Sequence, residues 1–182
     1  MRYHNITTAD MMNGEGLRVV LWLSGCSHHC HNCQNPVTWD ENDGLIFDKS
    51  AKEELFKELE KDYISGLTLS GGDPLHEANL DGVLDLVNKF HLSFPNKSIW
   101  LYSGYTFDYI MEGIGYDENG AFFFLDNDKK RYEIISKCDI LVDGRYIDSQ
   151  RNPSKKWAGS DNQRVISIPE SLKQGKVVLY CD

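Results

Sequence analysis

Three of the five cysteines in this chain, Cys26, Cys30 and Cys33, lie within eight positions, separated by three and then two residues. They follow an apolar run, Leu17–Leu23, which is typical of a β-strand. Ligands of open parallel sheets bind at the carboxyl ends of the strands, where this predicted strand places the thiols. In a reducing compartment, clustered thiols more often bind metals or catalyse reactions than form disulfides. The spacing therefore predicts a metal centre after the first strand.

Two kinds of metal centre compete for these thiols. A structural zinc ion needs four ligands, and a histidine of the same short loop would have to supply the fourth, because Cys138 and Cys181 lie far along the chain. A cuboidal four-iron cluster normally takes four thiolates, so three local cysteines leave one iron without a protein ligand. An enzyme uses such a position as an open coordination site, and we therefore rank the open cluster above zinc. The loop histidines, His28, His29 and His31, are assigned no chemical role.

Gly71, Gly72 and Asp73 form a second candidate site after a short apolar run. Because glycines have no side chain, a bound ligand can approach the backbone closely at this point. Asp73 would offer a charge-assisted hydrogen bond to a ligand ammonium group. The alternative is an ordinary strand-to-helix turn, in which Asp73 caps a helix that begins at Pro74. Ser103, at the end of a later predicted strand, is a weaker candidate contact.

The elements that must position these residues alternate between strands and helices. Ser50 with Glu53 three residues later forms a capping box, which predicts a helix that begins at Ser50. Apolar residues recur at helical spacing from Leu80 to Phe90, which predicts a second helix with one buried face. The strand candidates are Leu17–Leu23, 67–69, 99–102, 140–142, 165–168 and 177–180.

Strands that alternate with helices of ten or more residues form parallel βαβ units, because parallel neighbours need a long crossover. A complete eight-stranded α/β barrel takes about 250 residues, more than the 182 of this chain. We therefore predict an α/β fold, a partial, open TIM-type barrel of parallel strands with outer helices, as a single domain over 1–182. The stretch 113–128 interrupts the alternation and is predicted to be a loop insertion or hairpin that covers an open edge of the sheet.

The charge balance excludes several classes of protein. The chain has 19 lysines and arginines against 28 aspartates and glutamates, which gives a formal net charge of −9. Non-specific binding to nucleic acid or to an anionic membrane needs concentrated positive charge, so neither partner is expected. No apolar run approaches the roughly 18 to 20 residues of a membrane helix, and no signal peptide is recognisable. We expect a cytoplasmic protein.

The cysteine spacing resembles the cluster motif of the radical S-adenosylmethionine (SAM) enzymes, and the surrounding sequence is similar to the glycyl-radical-enzyme activases of that family. Within this group, the similarity is greatest to the members that serve anaerobic ribonucleoside-triphosphate reductase. The resemblance covers most of 1–165, in several separate blocks. The blocks are Asn13-Gly14-Glu15-Gly16, Ser24-Gly25-Cys26, Asn35 with Thr38-Trp39, Leu69-Ser70-Gly71-Gly72-Asp73-Pro74-Leu75, Leu141-Val142-Asp143-Gly144-Arg145, and Trp157 with Gly159-Ser160 and Asn162-Gln163.

The resemblance implies a radical SAM core with a [4Fe–4S] cluster on Cys26, Cys30 and Cys33, and with the amino and carboxylate groups of SAM on the fourth iron. One electron, from a donor such as a flavodoxin, would cleave SAM to methionine and a 5′-deoxyadenosyl radical. That radical would take a hydrogen atom from a backbone glycine of the reductase. Asn32 departs from the family, which often has an aromatic or small residue before the third cysteine. The residues assigned to cofactor binding are Asn32, Cys33, Gln34, Gly71, Gly72, Asp73 and Ser103.

Two other functions remain open on the sequence alone. The chain would be an activase of another glycyl-radical enzyme, of the pyruvate formate-lyase type, if only the partner differs. It would be a non-catalytic zinc-binding interaction module if the thiols hold zinc. Metal analysis after anaerobic purification separates these functions, because zinc without iron or sulfide contradicts an enzyme of this kind.

Overall fold

A computed structural model gives the fold of the chain and describes residues 1–116, 122–124 and 126–181. The main body is one mixed sheet of eight strands with helices packed against it. In chain order, the elements are β1 (Arg2–Asp10), β2 (Leu17–Leu23), β3 (Leu45–Ile46), α1 (Lys49–Leu59), β4 (Ile64–Gly71), α2 (Leu80–Ser93), β5 (Ser98–Tyr102), α3 (Phe107–Glu112), β6 (Ile114–Tyr116), β7 (Phe122–Phe124), α4 (Asp126–Ile135), β8 (Ile140–Asp143), β9 (Arg164–Ser167), α5 (Ile168–Gln174) and β10 (Leu179–Cys181).

The eight strands of the main sheet are hydrogen-bonded in the order β10-β9-β8-β5-β4-β2-β1-β3. The four central strands, β8, β5, β4 and β2, run parallel, as the alternation of strands and helices predicts. The flanking strands are antiparallel: β1 pairs with β2 and β3, and β9 pairs with β8 and β10. The prediction of parallel strands throughout is therefore wrong at both edges. The sheet is not closed, and its assignment to a partial TIM-type barrel stays a prediction.

Strand β1 was not among the predicted strands. Tyr3 is its one fully buried residue, and polar residues such as Asn5 and Asp10 interrupt any apolar alternation. The strand is held instead by antiparallel pairing with β2, with two irregularities in its register. A half-exposed edge strand of this kind depends on its neighbour for its conformation, so its own sequence carries little signal.

The two faces of the central strands differ in chemistry, because successive side chains of a strand point to opposite faces. Val19, Leu21 and Leu23 of β2 are fully buried and pack with residues of the helices in the main core. The other face of the same strand carries Arg18, which is also fully buried and lies over the ring of Trp100 at 5.5 Å. The Arg18 guanidinium donates five hydrogen bonds, which tie β2 to β4, β5 and the preceding loop. We call this second side of the sheet the polar face.

The first helix, α1, begins slightly earlier than the capping box predicts. Its N-cap is Asp48, whose side chain accepts a hydrogen bond from Ala51 N at 3.0 Å. A carboxylate in that position satisfies a free N–H of the first turn, so Ser50 lies inside the helix instead of capping it. Leu55 and Leu59 are fully buried, as the apolar spacing predicts.

The second helix, α2, begins at Leu80 and not at Pro74, because a 3₁₀ turn, Glu77–Asn79, comes before it. The predicted buried face is confirmed, since Leu80 and Phe90 are both in the main core. Leu86 is fully buried on this face. Within the described ranges, no helix is both long enough and apolar enough to cross a membrane.

The stretch 113–128 contains the short strands β6 and β7, which pair antiparallel as a separate two-stranded sheet. The hairpin alternative is confirmed for these paired residues, while 117–121 and 125 lie outside the described residues. Helix α4 begins at Asp126, so the predicted insertion overlaps the first turn of a helix. That the hairpin covers an edge of the main sheet stays a prediction.

Candidate functional site

The cysteine loop, residues 24–33, begins where β2 ends and is held by the segment that follows it. Gly25 N donates to Thr38 O at 2.8 Å, and Cys26 N donates to Trp39 O at 3.0 Å. Gly25 has φ +96°, in the left-handed region that favours glycine. These bonds hold the first cysteine just beyond the carboxyl end of a central parallel strand, as the sequence predicts.

All three thiols of this loop are free and partly exposed. Burial raises the pKa of the Cys26 thiol to about 11, and it also raises the pKa of the Cys30 thiol. Backbone N–H groups close to each sulfur favour its anionic form. They belong to His28 and His29 beside Cys26 and to Tyr146 beside Cys30, while Asn35 N donates a hydrogen bond to the Cys33 sulfur at 3.4 Å. Three sulfurs in such surroundings fit an iron–sulfur cluster, whose ligands are thiolates tuned by nearby N–H groups.

The donor atoms do not converge on a single point. In the described part of the chain, no three side chains of His, Cys, Asp or Glu are grouped so as to hold one metal ion. A structural zinc ion needs a group of four such ligands around it. No such group of four is present within residues 1–116, 122–124 and 126–181, and the zinc alternative stays a prediction for metal analysis to test.

Asp73 is a buried carboxylate, 2% exposed, just after β4. Its oxygens accept hydrogen bonds from Ser103 Oγ at 2.9 and 3.0 Å, from Gly104 N at 2.9 Å and from Leu75 N at 2.8 Å. Its backbone N–H donates to Gly25 O at 2.7 Å. Asp73 therefore joins the ends of β4 and β5 to the cysteine loop. The predicted contact of this carboxylate with a ligand ammonium group stays a prediction.

His28, between the first two cysteines, has a side chain that is only 5% exposed. Its Nε2 lies 2.9 Å from Asp73 Oδ2 but off the direction of a hydrogen bond, and its Nδ1 accepts from Arg145 Nε at 3.0 Å. The ring packs edge-to-face on Tyr105, with centroids 4.7 Å apart. A Cβ on Gly104 would lie 2.2 Å from His28 Cδ2, so only glycine fits there. That the loop histidines have no chemical role stays a prediction, but the nearly buried ring of His28 anchors the loop through these contacts.

Gly71 and Gly72 are required by the packing of the backbone itself. Gly71 has φ +103°, and a Cβ on it would lie 2.6 Å from Leu23 N. A Cβ on Gly72 would lie 2.5 Å from Gly25 O. Both glycines therefore let β4 approach β2 and the cysteine loop closely, a packing requirement that the sequence pattern does not indicate. The close approach of a ligand to these glycines stays a prediction.

A cavity of about 660 Å³ adjoins the cysteine loop on the polar face of the sheet. Cys30 and Cys33 line one side of the cavity, and Trp157 lines another side. Three further predicted site residues also line this cavity, and the other four do not. Among the predicted site residues, Asn32, Gln34 and Gly71 line the cavity with the two cysteines, while Cys26, Gly72, Asp73 and Ser103 do not.

The sequence matches the model of a family described as a 4Fe-4S single cluster domain, over residues 12–166. It is 39% identical over 173 residues to the anaerobic ribonucleoside-triphosphate reductase-activating protein of Enterobacteria phage T4, covering 94% of this chain and 97% of that protein. Proteins of the same name from Vibrio cholerae serotype O1 and Escherichia coli (strain K12) are 36% and 35% identical over 167 residues, covering 91% of this chain and 97% of each. The chain belongs to the family of anaerobic ribonucleoside-triphosphate reductase-activating proteins.

In this member of the activating-protein family, Tyr102 lines the cavity, whereas the predicted Ser103 turns to the Asp73 carboxylate. Burial raises the pKa of the Tyr102 phenol, and its hydroxyl has no hydrogen-bond partner among the described residues. Tyr102 shares the polar face with Trp100, whose ring packs against Trp157 with centroids 4.7 Å apart. The alternation of side chains along β5 is the signal that would have identified Tyr102.

Proposed function

We propose that this chain is a radical SAM activase, an oxidoreductase that installs a glycyl radical on anaerobic ribonucleoside-triphosphate reductase with a [4Fe–4S] cluster on Cys26, Cys30 and Cys33. The observation that carries the proposal is the set of three thiols, each with a backbone N–H group close to its sulfur, beside a cavity of about 660 Å³ at the ends of parallel strands. When bound, the reduced cluster and SAM would supply a 5′-deoxyadenosyl radical that takes a hydrogen atom from a glycine of the reductase.

The cavity suits SAM as a ligand, because small-molecule sites typically measure roughly 300 to 1,000 Å³. We assign direct contact with SAM to Asn32, Gln34 and Gly71, which line the cavity together with Cys30 and Cys33. The cavity walls would keep water away from reactive groups.

The remaining predicted SAM residues are assigned a positioning role. The Asp73 carboxylate accepts hydrogen bonds from three protein donors, and the single Ser103 hydroxyl lies within reach of both of its oxygens. Gly72 N donates to Leu23 O at 2.7 Å, which holds the turn against the end of β2. In this role, the three residues fix the cysteine loop relative to β4 and β5, and the cavity keeps its shape.

The one-electron donor, for which we propose a flavodoxin-type acidic protein in the cytoplasm, needs a basic surface on a chain of net charge −9. Lys130 and Arg131 each lie 2.8 Å from an aspartate, so their charges are already paired. Lys155 donates to a backbone carbonyl and Lys156 lies over the ring of Trp157, so neither contact neutralises a cation. Lys155 also lines the cavity, next to the site proposed for the cluster. We therefore propose that the donor binds near Lys155 and Lys156.

The cluster and the cleavage of SAM are tested by anaerobic reconstitution with iron and sulfide, followed by reduction in the presence of SAM. We expect 5′-deoxyadenosine and methionine as products, and their loss in Cys30→Ala. The matched control is Cys138→Ala, because Cys138 is a buried thiol whose sulfur donates to Ile134 O in the core. Bound zinc without iron, or full SAM cleavage by Cys30→Ala, would contradict the proposal.

The partner is tested separately by electron paramagnetic resonance. The reduced, SAM-loaded protein is mixed anaerobically with anaerobic ribonucleoside-triphosphate reductase or with an enzyme of the pyruvate formate-lyase type. We expect a glycyl-radical signal in the reductase alone. A signal only in the enzyme of the pyruvate formate-lyase type would support glycyl-radical formation but contradict the proposed partner.

A further inference from the structure

A second loop, far along the chain, contacts the cysteine loop at every other residue. This loop follows β8 and comprises residues 144–148, which we call the clasp. The clasp contacts the cysteine loop with a side chain at residue 28, with its backbone at residue 30 and with a second side chain at residue 32. These contacts are the hydrogen bonds from Arg145 Nε to His28 Nδ1 at 3.0 Å and from Asn32 Nδ2 to Asp148 Oδ2 at 3.0 Å, with the Tyr146 N–H close to the Cys30 sulfur between them.

The clasp is itself braced by the segment that precedes β9. Asn162 Nδ2 donates to Arg145 O at 2.8 Å, and Gln163 Nε2 donates to Gly144 O at 2.9 Å. Within the clasp, the Tyr146 hydroxyl donates to the second oxygen of Asp148, at 2.8 Å. Near its other end, Ile147 N donates to Ser160 Oγ at 3.2 Å, so the loop is a fixed support for the residues that it contacts.

The cysteine loop needs outside support, because part of its backbone has an unfavourable conformation. His29 and Asn32 have φ +45° and +55°, in the left-handed region that side-chain-bearing residues rarely adopt. Between the cysteines, Cys33 N donates to Cys30 O at 3.1 Å and closes a single tight turn. Strained backbone of this kind persists only where surrounding structure holds it in place.

We propose that the clasp holds the cysteine loop in its cluster-binding conformation, with Asp148 and Arg145 as positioning residues. This inference rests on the proposed cluster, but it does not depend on SAM or on the reductase. Partners that orient metal ligands affect metal retention almost as strongly as the ligands do. Hydrogen bonds to the sulfurs also raise the reduction potential of a cluster, so the clasp affects both retention and potential.

The contact between Asn32 and Asp148 is the one to remove, because both residues are at least partly exposed and their loss spares the core. Asn32→Ala, Asp148→Ala and the double variant form a mutant cycle. The matched control is Asp161→Ala, which removes a carboxylate that accepts a hydrogen bond from another exposed amide, Asn152 Nδ2, at 2.7 Å. The control loses the same charge but leaves the cysteine loop untouched.

The measurement is the rate at which reconstituted protein loses its visible cluster absorbance to a chelator, without SAM. We expect each single variant to lose the cluster on the order of tenfold faster than the control. The double variant should be no faster than the faster single one, because both changes break the same bond. An electron paramagnetic resonance titration should give a lower cluster potential in Asn32→Ala, a change that removes no charge. Rates equal to the control in both single variants would overturn the clasp.

Hydrogen exchange of the cluster-free protein gives a second, independent result. We expect faster exchange at the amides of residues 26–33 in Asp148→Ala than in Asp161→Ala, and equal exchange would overturn the proposal. These outcomes are distinct from a failure of the proposed function. If the clasp variants lose the cluster faster than the control but the protein never cleaves SAM, the proposed function is contradicted and the role of the clasp is supported.

Discussion

Asp73→Asn tests whether this carboxylate stabilises the fold of the site or directly binds a ligand. Leu75 N donates to Oδ1 of Asp73, and Gly104 N donates to Oδ2. An asparagine keeps only one acceptor oxygen, so in either orientation one of these backbone N–H groups faces an NH₂ group instead. A hydrogen bond to a charged group contributes about 1.5 to 3 kcal/mol, and an unsatisfied buried N–H adds a further penalty. We therefore expect Asp73→Asn to lower the free energy of unfolding by about 3 kcal/mol.

Ser103→Ala is the graded comparison for this prediction. The Ser103 hydroxyl donates to the same carboxylate at 2.9 and 3.0 Å, and its removal leaves both backbone N–H groups with their acceptors. Its loss should cost about 1.5 kcal/mol, the lower value for a bond to a charged group. We therefore expect Asp73→Asn to lower the free energy of unfolding more than Ser103→Ala does.

The assay is urea unfolding of the cluster-free protein under reducing, anaerobic conditions, followed by the fluorescence of its four tryptophans. The slope of the unfolding free energy with urea should stay unchanged, because the surface exposed on unfolding is the same. SAM affinity is then measured on the reconstituted variants. Suppose that Asp73→Asn loses less than about 0.5 kcal/mol, the cost of an ordinary surface change, while SAM affinity collapses. The carboxylate would then act on the ligand, and the positioning role would be refuted.

Three further predictions concern other contacts of the site and its surroundings. Gly104→Ala places a Cβ 2.2 Å from His28 Cδ2. It should lower the unfolding free energy by about 2 kcal/mol and speed cluster loss, and an unchanged stability in urea would mean that the ring moves aside freely. Arg18→Met removes five hydrogen bonds from a fully buried group. It should lower the free energy of unfolding by about 3 kcal/mol in the same assay. A loss of less than about 1 kcal/mol would contradict this prediction. The double change Lys155→Glu and Lys156→Glu should slow reduction by an acidic donor protein about tenfold at low salt. Reduction by dithionite is the control and should be unaffected, and reduction of the variant by the donor protein at the unmutated rate would contradict the proposed binding surface.

Much of the central sheet was predictable because local sequence determines it. Apolar runs located β2 and β5, and helical spacing located the buried face of α2. Edge strand β1 was not predictable, because its conformation comes from pairing with β2 and not from its own side chains. The antiparallel direction of β9 was also not predictable, since both directions give the same apolar pattern in a short strand.

In the candidate site, the spacing of the cysteines was readable from the sequence, but the contacts that hold them were not. His28 is a polar residue in a polar loop, and nothing near it in sequence indicates that it is nearly buried. Its burial comes from Gly104 and Arg145, which are more than 70 positions away. The same holds for Asp73, whose acid-before-proline pattern is typical of a helix cap. Its carboxylate bonds to Ser103 because the end of β5 lies beside it in the sheet.

The polar face explains why a cavity exists at all on this sheet. Central parallel strands are usually covered by helices on both sides and are apolar throughout. Here the helices cover one side, and the other carries the buried Arg18 guanidinium and the rings of Trp100 and Tyr102. The segment 144–163 covers that side with loop and aromatic residues instead of a helix, and it leaves about 660 Å³ between itself and the strands. Because the same segment includes the clasp, the wall of the cavity and the support of the cysteine loop are one structure. A change that removes the bonds from Asn162 and Gln163 to the clasp should therefore weaken cluster retention and ligand binding together, whereas a change in the helical core should weaken both only through global stability.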